Sequence, residues 1–279
     1  MNFMNSIDAI AAIVTIDGSA HIEDDGLLHC NMCGHARQCR VDIPLVGIRI
    51  VPCLCKCQAA KMEQEEAERR QMERMDKIMR YRSLGFCLDD EEIRNAVLSN
   101  DDRARPDISA LVEGYIQHFE EMENRGQGLL FYGPVGTGKS FYAGCIFNGV
   151  IDQCRPALMT NFSRLINEIN TNWEGKQERI DKLATYSLAV IDDLGVERDS
   201  DYMNEQITVI IDTLSRAHVP IVVTSNYTPK QLTEEGNISR KRIYDRILKS
   251  CRPIPVLGES RRRQIGKANW AWMKDVIGV

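Results

Sequence analysis

No apolar run in this chain approaches the roughly 20 residues that a bilayer-spanning helix needs. The longest stretch near the N-terminus, Ile7–Ile16, is interrupted by Asp8 and lacks a basic lead and a clear cleavage site. Neither a membrane span nor a signal peptide is therefore expected, and the chain reads as cytoplasmic. Charge of one sign is not in excess either: 35 Lys and Arg against 40 Asp and Glu leave a net charge of -5. That balance gives no global attraction to nucleic acid, so a DNA partner would need a local basic patch. Internal repeats and low-complexity tracts are absent. A hydrophobic share of 43% is enough for a buried core and argues against global disorder. The length of 279 residues allows one large domain with a small one, or two modest domains.

Cysteine, in contrast, is plentiful. Of ten, six lie between Cys30 and Cys57, and in a cytosolic chain they are expected as thiols or metal ligands rather than disulfides. Cys30 and Cys33 stand in CxxC spacing, followed by Gly34 for the turn of a knuckle. Cys53, Cys55 and Cys57 return after a loop of about twenty residues, a separation that suits two ligand pairs of a tetrahedral Zn²⁺. The expected set is Cys30 and Cys33 with two of Cys53, Cys55 and Cys57; Cys39, His29 and His35 are spare candidates. A four-thiolate site leaves no position open for catalysis, so its role is structural, holding together a segment too small for its own core. No thioredoxin-like pattern surrounds the CxxC. The scattered Cys87, Cys145, Cys154 and Cys251 read as packing residues.

After Cys57 the composition changes. Residues 58–82 mix both charge signs without Gly or Pro and predict an exposed helix; Met62, Met72, Met75 and Met79 could line a weak apolar stripe on it. Further on, five short apolar runs alternate with longer amphipathic stretches, which predicts an α/β fold with a parallel five-stranded sheet covered on both faces. Expected boundaries are 1–57 for a cysteine-rich zinc-binding module, 58–110 for a charged helical linker and 111–279 for the α/β domain.

One motif fixes the chemistry of that domain. Gly133, Pro134, Val135, Gly136, Thr137, Gly138, Lys139 and Ser140 spell GPVGTGKS, a complete Walker A pattern between an apolar strand and a helix opening at Phe141. The glycines let backbone N–H groups turn toward phosphate oxygens, and the helix N-terminus adds a favourable dipole. Lys139 is expected on the β- and γ-phosphates of ATP, and the Ser140 hydroxyl on Mg²⁺. Some fifty residues on, an apolar strand over Leu188–Ile191 ends in Asp192 and Asp193. Asp192 would hold the Mg²⁺, and Asp193 would orient or deprotonate the attacking water. A further strand ends in Ser225 and Asn226, whose amide could position that water. Arg242 and Arg246, one helical turn apart, share a face that suits a neighbouring subunit's γ-phosphate or, more plainly, a pairing with Asp245. Arg261, Arg262 and Arg263 could touch ATP, DNA phosphates or solvent. Between Phe162 and Lys182, Arg164, Lys176, Arg179 and Lys182 with Trp173 form the candidate DNA surface, alongside the plainer reading of a charged helix face.

The series of motifs from Glu113 to Gly258 resembles the DnaC/DnaI-type helicase loaders of the AAA+ ATPase class, with the IstB-type transposition ATPases next. The cysteine region is similar to the zinc module of DnaI-like and phage-borne loaders. The resemblance implies an AAA+ ATPase that assembles with copies of itself, binds a hexameric replicative helicase and places it on single-stranded DNA, using ATP hydrolysis as the release switch. It also implies Asn226 as the first sensor and Arg242 or Arg246 as arginine finger. Asp193 stands where many AAA+ proteins carry Glu, and its shorter reach implies slow, switch-like hydrolysis. Few residues follow Gly258, so no helical lid is expected, and Arg263 is left as candidate for the second sensor. Alternatives are an ATPase assisting DNA transposition, a P-loop kinase and a non-hydrolysing ATP switch.

Overall fold

A computed structural model describes residues 18–83, 91–171, 175–234 and 236–278. The stretch Ile7–Ile16, Cys87 and Trp173, singled out above, lie outside the described residues. The chain divides into two compact units, Met1–Met75 and Asp76–Val279.

The first unit carries two small antiparallel pairs: β1 (Ala20–Ile22) with β2 (Leu28–Cys30), and β3 (Gln38–Ile43) with β4 (Gly47–Pro52). Among its described residues only Ala20, Leu28, Cys30 and Cys55 are buried apolar groups. So little buried surface cannot hold a fold by the hydrophobic effect. From this unit rises α1 (Lys56–Ser83), whose last turns belong to the second unit. Met62, Met72, Met75 and Met79 are all exposed on it.

The second unit begins before the expected boundary at residue 111. Ile78 on α1, Ile93 on α2 (Glu91–Arg94), Ala96, and Ile108 on α3 (Pro106–Gln117) all join one buried cluster. The tie is polar as well as apolar. Buried Asn148 donates to the carbonyls of Ile93 and Ala96 at 2.8 and 2.9 Å, satisfying two backbone acceptors that burial would otherwise leave orphaned.

Then follow α4 (Phe119–Arg125), β5 (Gly128–Tyr132), α5 (Lys139–Asp152), β6 (Ala157–Thr160), α6 (Phe162–Asn170), α7 (Lys176–Leu183), β7 (Leu188–Leu194), α8 (Asp201–Arg216), β8 (Ile221–Ser225), α9 (Pro229–Thr233), α10 (Ile238–Ser250), β9 (Cys251–Pro255) and α11 (Arg261–Ile277). The five strands β5 to β9 form one parallel sheet in the order β6-β7-β8-β5-β9. Helices cover both faces, giving one core cluster on each side. Strands β6 and β8 are buried along their whole length, which is why each opens with a continuous apolar run, Ala157–Met159 and Ile221–Val223, rather than an alternating one. Cys145 and Cys251 are buried as packing residues, and Cys154 is half-buried. No described helix is long and apolar enough to cross a membrane.

Candidate functional site

The loop Gly133–Gly138 leaves the end of β5 and opens α5, so its N–H groups gather at the carboxyl edge of the sheet where β5, β7 and β8 end together. Gly136 has φ +83°, and a Cβ there would lie 2.2 Å from the Ser260 hydroxyl. Only glycine meets both conditions. The Gly136 carbonyl also accepts the Arg261 N–H at 2.8 Å, which fastens the start of α11 to the loop.

Lys139 is 6% exposed, and its ammonium donates to the carbonyls of Gly133 (3.0 Å) and Pro134 (2.8 Å) and to Asn226 Oδ1 (2.8 Å). Burial lowers its pKa, against the pull of Asp193 and Asp192. The Ser140 hydroxyl donates to Asp192 Oδ1 at 2.8 Å. The two groups expected to share Mg²⁺ are thus neighbours across a gap of fifty residues in sequence.

Strand β7 does not stop at Ile191 as the apolar run suggested. Its pairing with β8 is irregular between Ile191 and Leu194 and then resumes with Leu194 opposite Ser225. Asp193 sits within this irregularity at φ +58°, a left-handed conformation that costs on the order of 1 kcal/mol for a non-glycine residue. Burial and the neighbouring Asp192 raise its pKa, while Lys139 and Arg262 draw it down. A carboxylate held in this way is a better proton acceptor than a solvated one.

Two residues that no sequence pattern singled out lie beside the acids, Thr224 and Glu197. Thr224 donates to Asp192 Oδ1 at 2.5 Å and accepts the Asp193 N–H at 2.9 Å, so one hydroxyl orients both acids. Glu197 is 8% exposed; one carboxylate oxygen accepts the Gly195 N–H at 2.9 Å, and the other is buried with no hydrogen bond among the described residues. Its pKa is raised by burial. Arg240 clasps the same loop, donating to the Glu197 carbonyl at 2.6 Å and pairing with Asp199 at 3.3 Å. A Cβ on Gly195 would meet the Tyr227 ring at 2.7 Å, so the loop behind Asp193 presses on the residue after Asn226. Thr224→Val keeps the shape and removes the hydroxyl. Its Mg²⁺-dependent ATP turnover is expected to fall about tenfold, about one charge-linked hydrogen bond's worth, with ATP affinity nearly unchanged. Single-turnover kinetics beside calorimetry separate the two.

The arginines fall into different places. Arg246 pairs with Asp212 on α8 at 2.8 Å, rather than with Asp245. Arg242 is exposed and has no ion-pair partner among the described residues. Arg261 pairs with Asp102 at 2.6 Å. Arg262 lies close enough to act on the charges of both Lys139 and Asp193. Arg263 instead lines a cleft of about 530 Å³ beside Pro134 and Val135. On the expected DNA surface, Arg179 donates to the carbonyls of Glu168 and Ile169 at 3.2 and 3.3 Å and closes the end of α6. It serves the fold there. Lys176 lies over the Tyr202 ring at 6.0 Å.

In the first unit, the thiols of Cys30, Cys33, Cys55 and Cys57 lie within 4.8 Å of one another. Cys57 is 3.4 Å from Cys30 and 3.2 Å from Cys55. A tetrahedron of 2.3 Å Zn–S bonds has edges of about 3.8 Å, so the donor set and its spacing fit zinc. Cys53 stays outside this group. Its N–H is held by the Arg37 carbonyl at 2.7 Å and its thiol reaches the Ala36 carbonyl at 3.5 Å, on the side of the hairpin where Cys39 lies. His29 is engaged by Gly34 and Asp25, both at 3.1 Å, and His35 by the Cys33 carbonyl at 2.7 Å. N–H groups of Cys57 and His35 lower the Cys33 thiol to about 6, whereas the surrounding thiols push Cys57 up to about 12. Four thiols this close cannot all ionise without a cation.

With this geometry established, comparison with known proteins gives the family. The AFG1-like ATPase profile matches residues 58–251, well over half of the chain. The chain belongs to the AFG1-like ATPase family. It is also similar to the replicative helicase loader DnaI of Bacillus subtilis (strain 168), 24% identical over 164 residues, which cover 54% of this chain and 52% of that protein. Similarity to the replicative helicase loader DnaC of Escherichia coli (strain K12) is 24% over 135 residues, 47% of this chain and 54% of that protein. The chain thus spans about half the length of the curated relatives it matches. A crystal structure of DnaI matches with a TM-score of 0.51 at 25% identity, over 62% of this chain and 93% of that one. This family member has an ATPase-type P-loop fold and is similar to replicative helicase loaders over about half of their length.

Proposed function

We propose that the chain is an ATP-dependent loader that binds a hexameric replicative helicase in the cytoplasm and places it on single-stranded DNA, with ATP hydrolysis as the release switch. The observation that carries the reading is the convergence of Lys139, Ser140, Asp192, Asp193 and Asn226 at one sheet edge, in a chain similar to two replicative helicase loaders.

The residues fit the group they would hold. Gly133, Pro134, Val135, Gly136, Thr137, Gly138 and Phe141 frame the phosphates, Lys139 neutralises them, and Ser140 and Asp192 hold Mg²⁺, which when bound offsets phosphate charge. Asp193 accepts the proton of the attacking water. Asn226, already tied to Lys139, orients that water and carries the change in the γ-phosphate toward Tyr227 and the Gly195 loop. Arg262 is the in-chain arginine at the transferred phosphate. Arg242 is the better candidate for a finger offered to a neighbouring copy, because Arg246 is committed to Asp212. The four-thiolate centre of Cys30, Cys33, Cys55 and Cys57 takes a structural Zn²⁺, and the module it holds contacts the helicase.

Co-purification with the replicative helicase of the source organism, in ATP, ADP and without nucleotide, is the test. The expected result is retention that is strongest in one nucleotide state and lost in the Lys139→Ala chain. Equal absence of the helicase in all three states would sink the loader reading.

A further inference from the structure

Asp193 keeps a backbone conformation that an aspartate seldom adopts inside a strand. At φ +58° it is left-handed, and such a residue persists only where its surroundings over-determine it. On the strand side the determinants are plain. Thr224 holds the Asp193 N–H, and the Ser225 hydroxyl donates to the Leu194 carbonyl at 2.8 Å. These contacts fix the chain as it enters Asp193. They do not fix the direction in which it leaves, which belongs to the loop that runs from Gly195 into α8.

Helix α10 grips that loop. Its N-cap, Asn237, accepts the N–H groups of Ser239 and Arg240 and donates from its own amide to Asp199 Oδ1 at 3.1 Å. The Arg240 side chain, only 13% exposed, reaches Asp199 Oδ1 from Nε at 3.3 Å and donates from Nη2 to the Glu197 carbonyl at 2.6 Å. Buried Asn204 on α8 donates to the same Asp199 oxygen at 3.0 Å. One turn along α10 from Arg240, Tyr244 is buried, and its hydroxyl would lie 3.9 Å from a Cβ on Gly195. Residues 240 and 244 share a helix face, so one side of α10 meets the loop at both Gly195 and Glu197–Asp199. Glu197 adds a reason for a cation at this place. Its carboxylate is buried with one oxygen lacking a hydrogen bond among the described residues. A half-satisfied acid in the interior is costly, and Arg240 is a positive group acting on it.

We propose that Arg240 is a positioning residue for ATP hydrolysis: by fastening the Glu197–Asp199 turn to α10, it holds Asp193 in the left-handed conformation that aims its carboxylate at the attacking water. This rests on the reading of Asp193 as proton acceptor made above. Positioning of this kind shows in rate and not in binding, since a misplacement of roughly 1 Å costs on the order of a hundredfold in the chemical step. ATP itself is held by the loop Gly133–Ser140, to which Arg240 makes no hydrogen bond or ion pair among the described residues.

The test is single-turnover hydrolysis of Mg-ATP by the full chain, with calorimetry of ATP binding on the same samples. Arg240→Met keeps the apolar stem and removes the fork. Its rate should fall about tenfold or more, while Kd stays within about twofold. Arg240→Lys, able to reach one of the two acceptors, should recover part of the loss. Asp199→Ala removes the other end of the clasp and should also slow the rate with Kd kept. The double variant Arg240→Met with Asp199→Ala should be no slower than the slower single one, because both act through one loop. Arg242 stands two residues on, about 200° around the helix, so these substitutions leave that arginine alone.

An unchanged rate in Arg240→Met would overturn the proposal. So would equal losses of rate and affinity, which is what damage to the whole fold produces, or single losses that add in the double variant. Should Arg240→Met lack a melting transition, Asp199→Ala decides by the same split of rate from affinity. Asp193→Asn keeps the two readings apart. If it leaves the parent rate untouched, the role given to Asp193 falls and takes the inference with it; if it abolishes turnover while Arg240→Met does not slow it, the inference falls alone.

Discussion

Lys139→Ala should weaken ATP binding by about 3 kcal/mol, roughly a hundredfold in Kd. The size follows from the setting. The ammonium is almost fully buried and already makes three hydrogen bonds, to Gly133, Pro134 and Asn226. It is therefore held in place before a phosphate arrives, and little ordering cost is left at binding. Removing it leaves three acceptors facing a polyanion with no cation between them. Asn226→Ala is the informative contrast: it removes one of three tethers and the water-facing amide, so turnover should fall far more than affinity. Isothermal titration calorimetry of both variants decides the matter, and an unchanged Kd for Lys139→Ala would sink the nucleotide reading.

Stripping metal from the first unit should unfold it while the second keeps its melting transition. Zinc bound by thiolates in small modules carries on the order of 10 kcal/mol of folding free energy at neutral pH. The few buried apolar groups of this unit, Leu28 chief among them, supply much less. Cys30→Ser or Cys55→Ser should release the metal, and Cys53→Ser should keep it, because its thiol turns toward Ala36. Metal content per chain, with hydrogen exchange over residues 18–57, gives the answer. Full protection in a metal-free chain would refute a metal-held module.

How far the site could be read in advance depended on how local each feature is. The Walker A loop was legible residue by residue because eight consecutive positions must satisfy one curl of backbone around phosphate. The strands were legible because a sheet covered on both faces selects mostly apolar runs. Thr224 was not legible: a threonine in an apolar strand is unremarkable until β7 and β8 are paired and its hydroxyl falls between Asp192 and Asp193. Arg262 and Arg263 are adjacent, and only the angle at which α11 leaves the loop sends one toward Asp193 and the other into the outer cleft. Arg246 had Asp245 as its neighbour in sequence, yet the packing of α8 against α10 gave it Asp212.

The amino-acid order alone determined that a phosphate-binding loop, two acids after an apolar strand and a cluster of closely spaced thiols exist, since each is a short-range pattern with one chemical use. Tertiary structure decided which thiols converge, which hydroxyl orients the acids, and which arginine grips the loop behind Asp193. Those facts depend on distances between segments far apart in the chain, and such distances are set by strand register and helix packing, which short-range patterns do not encode.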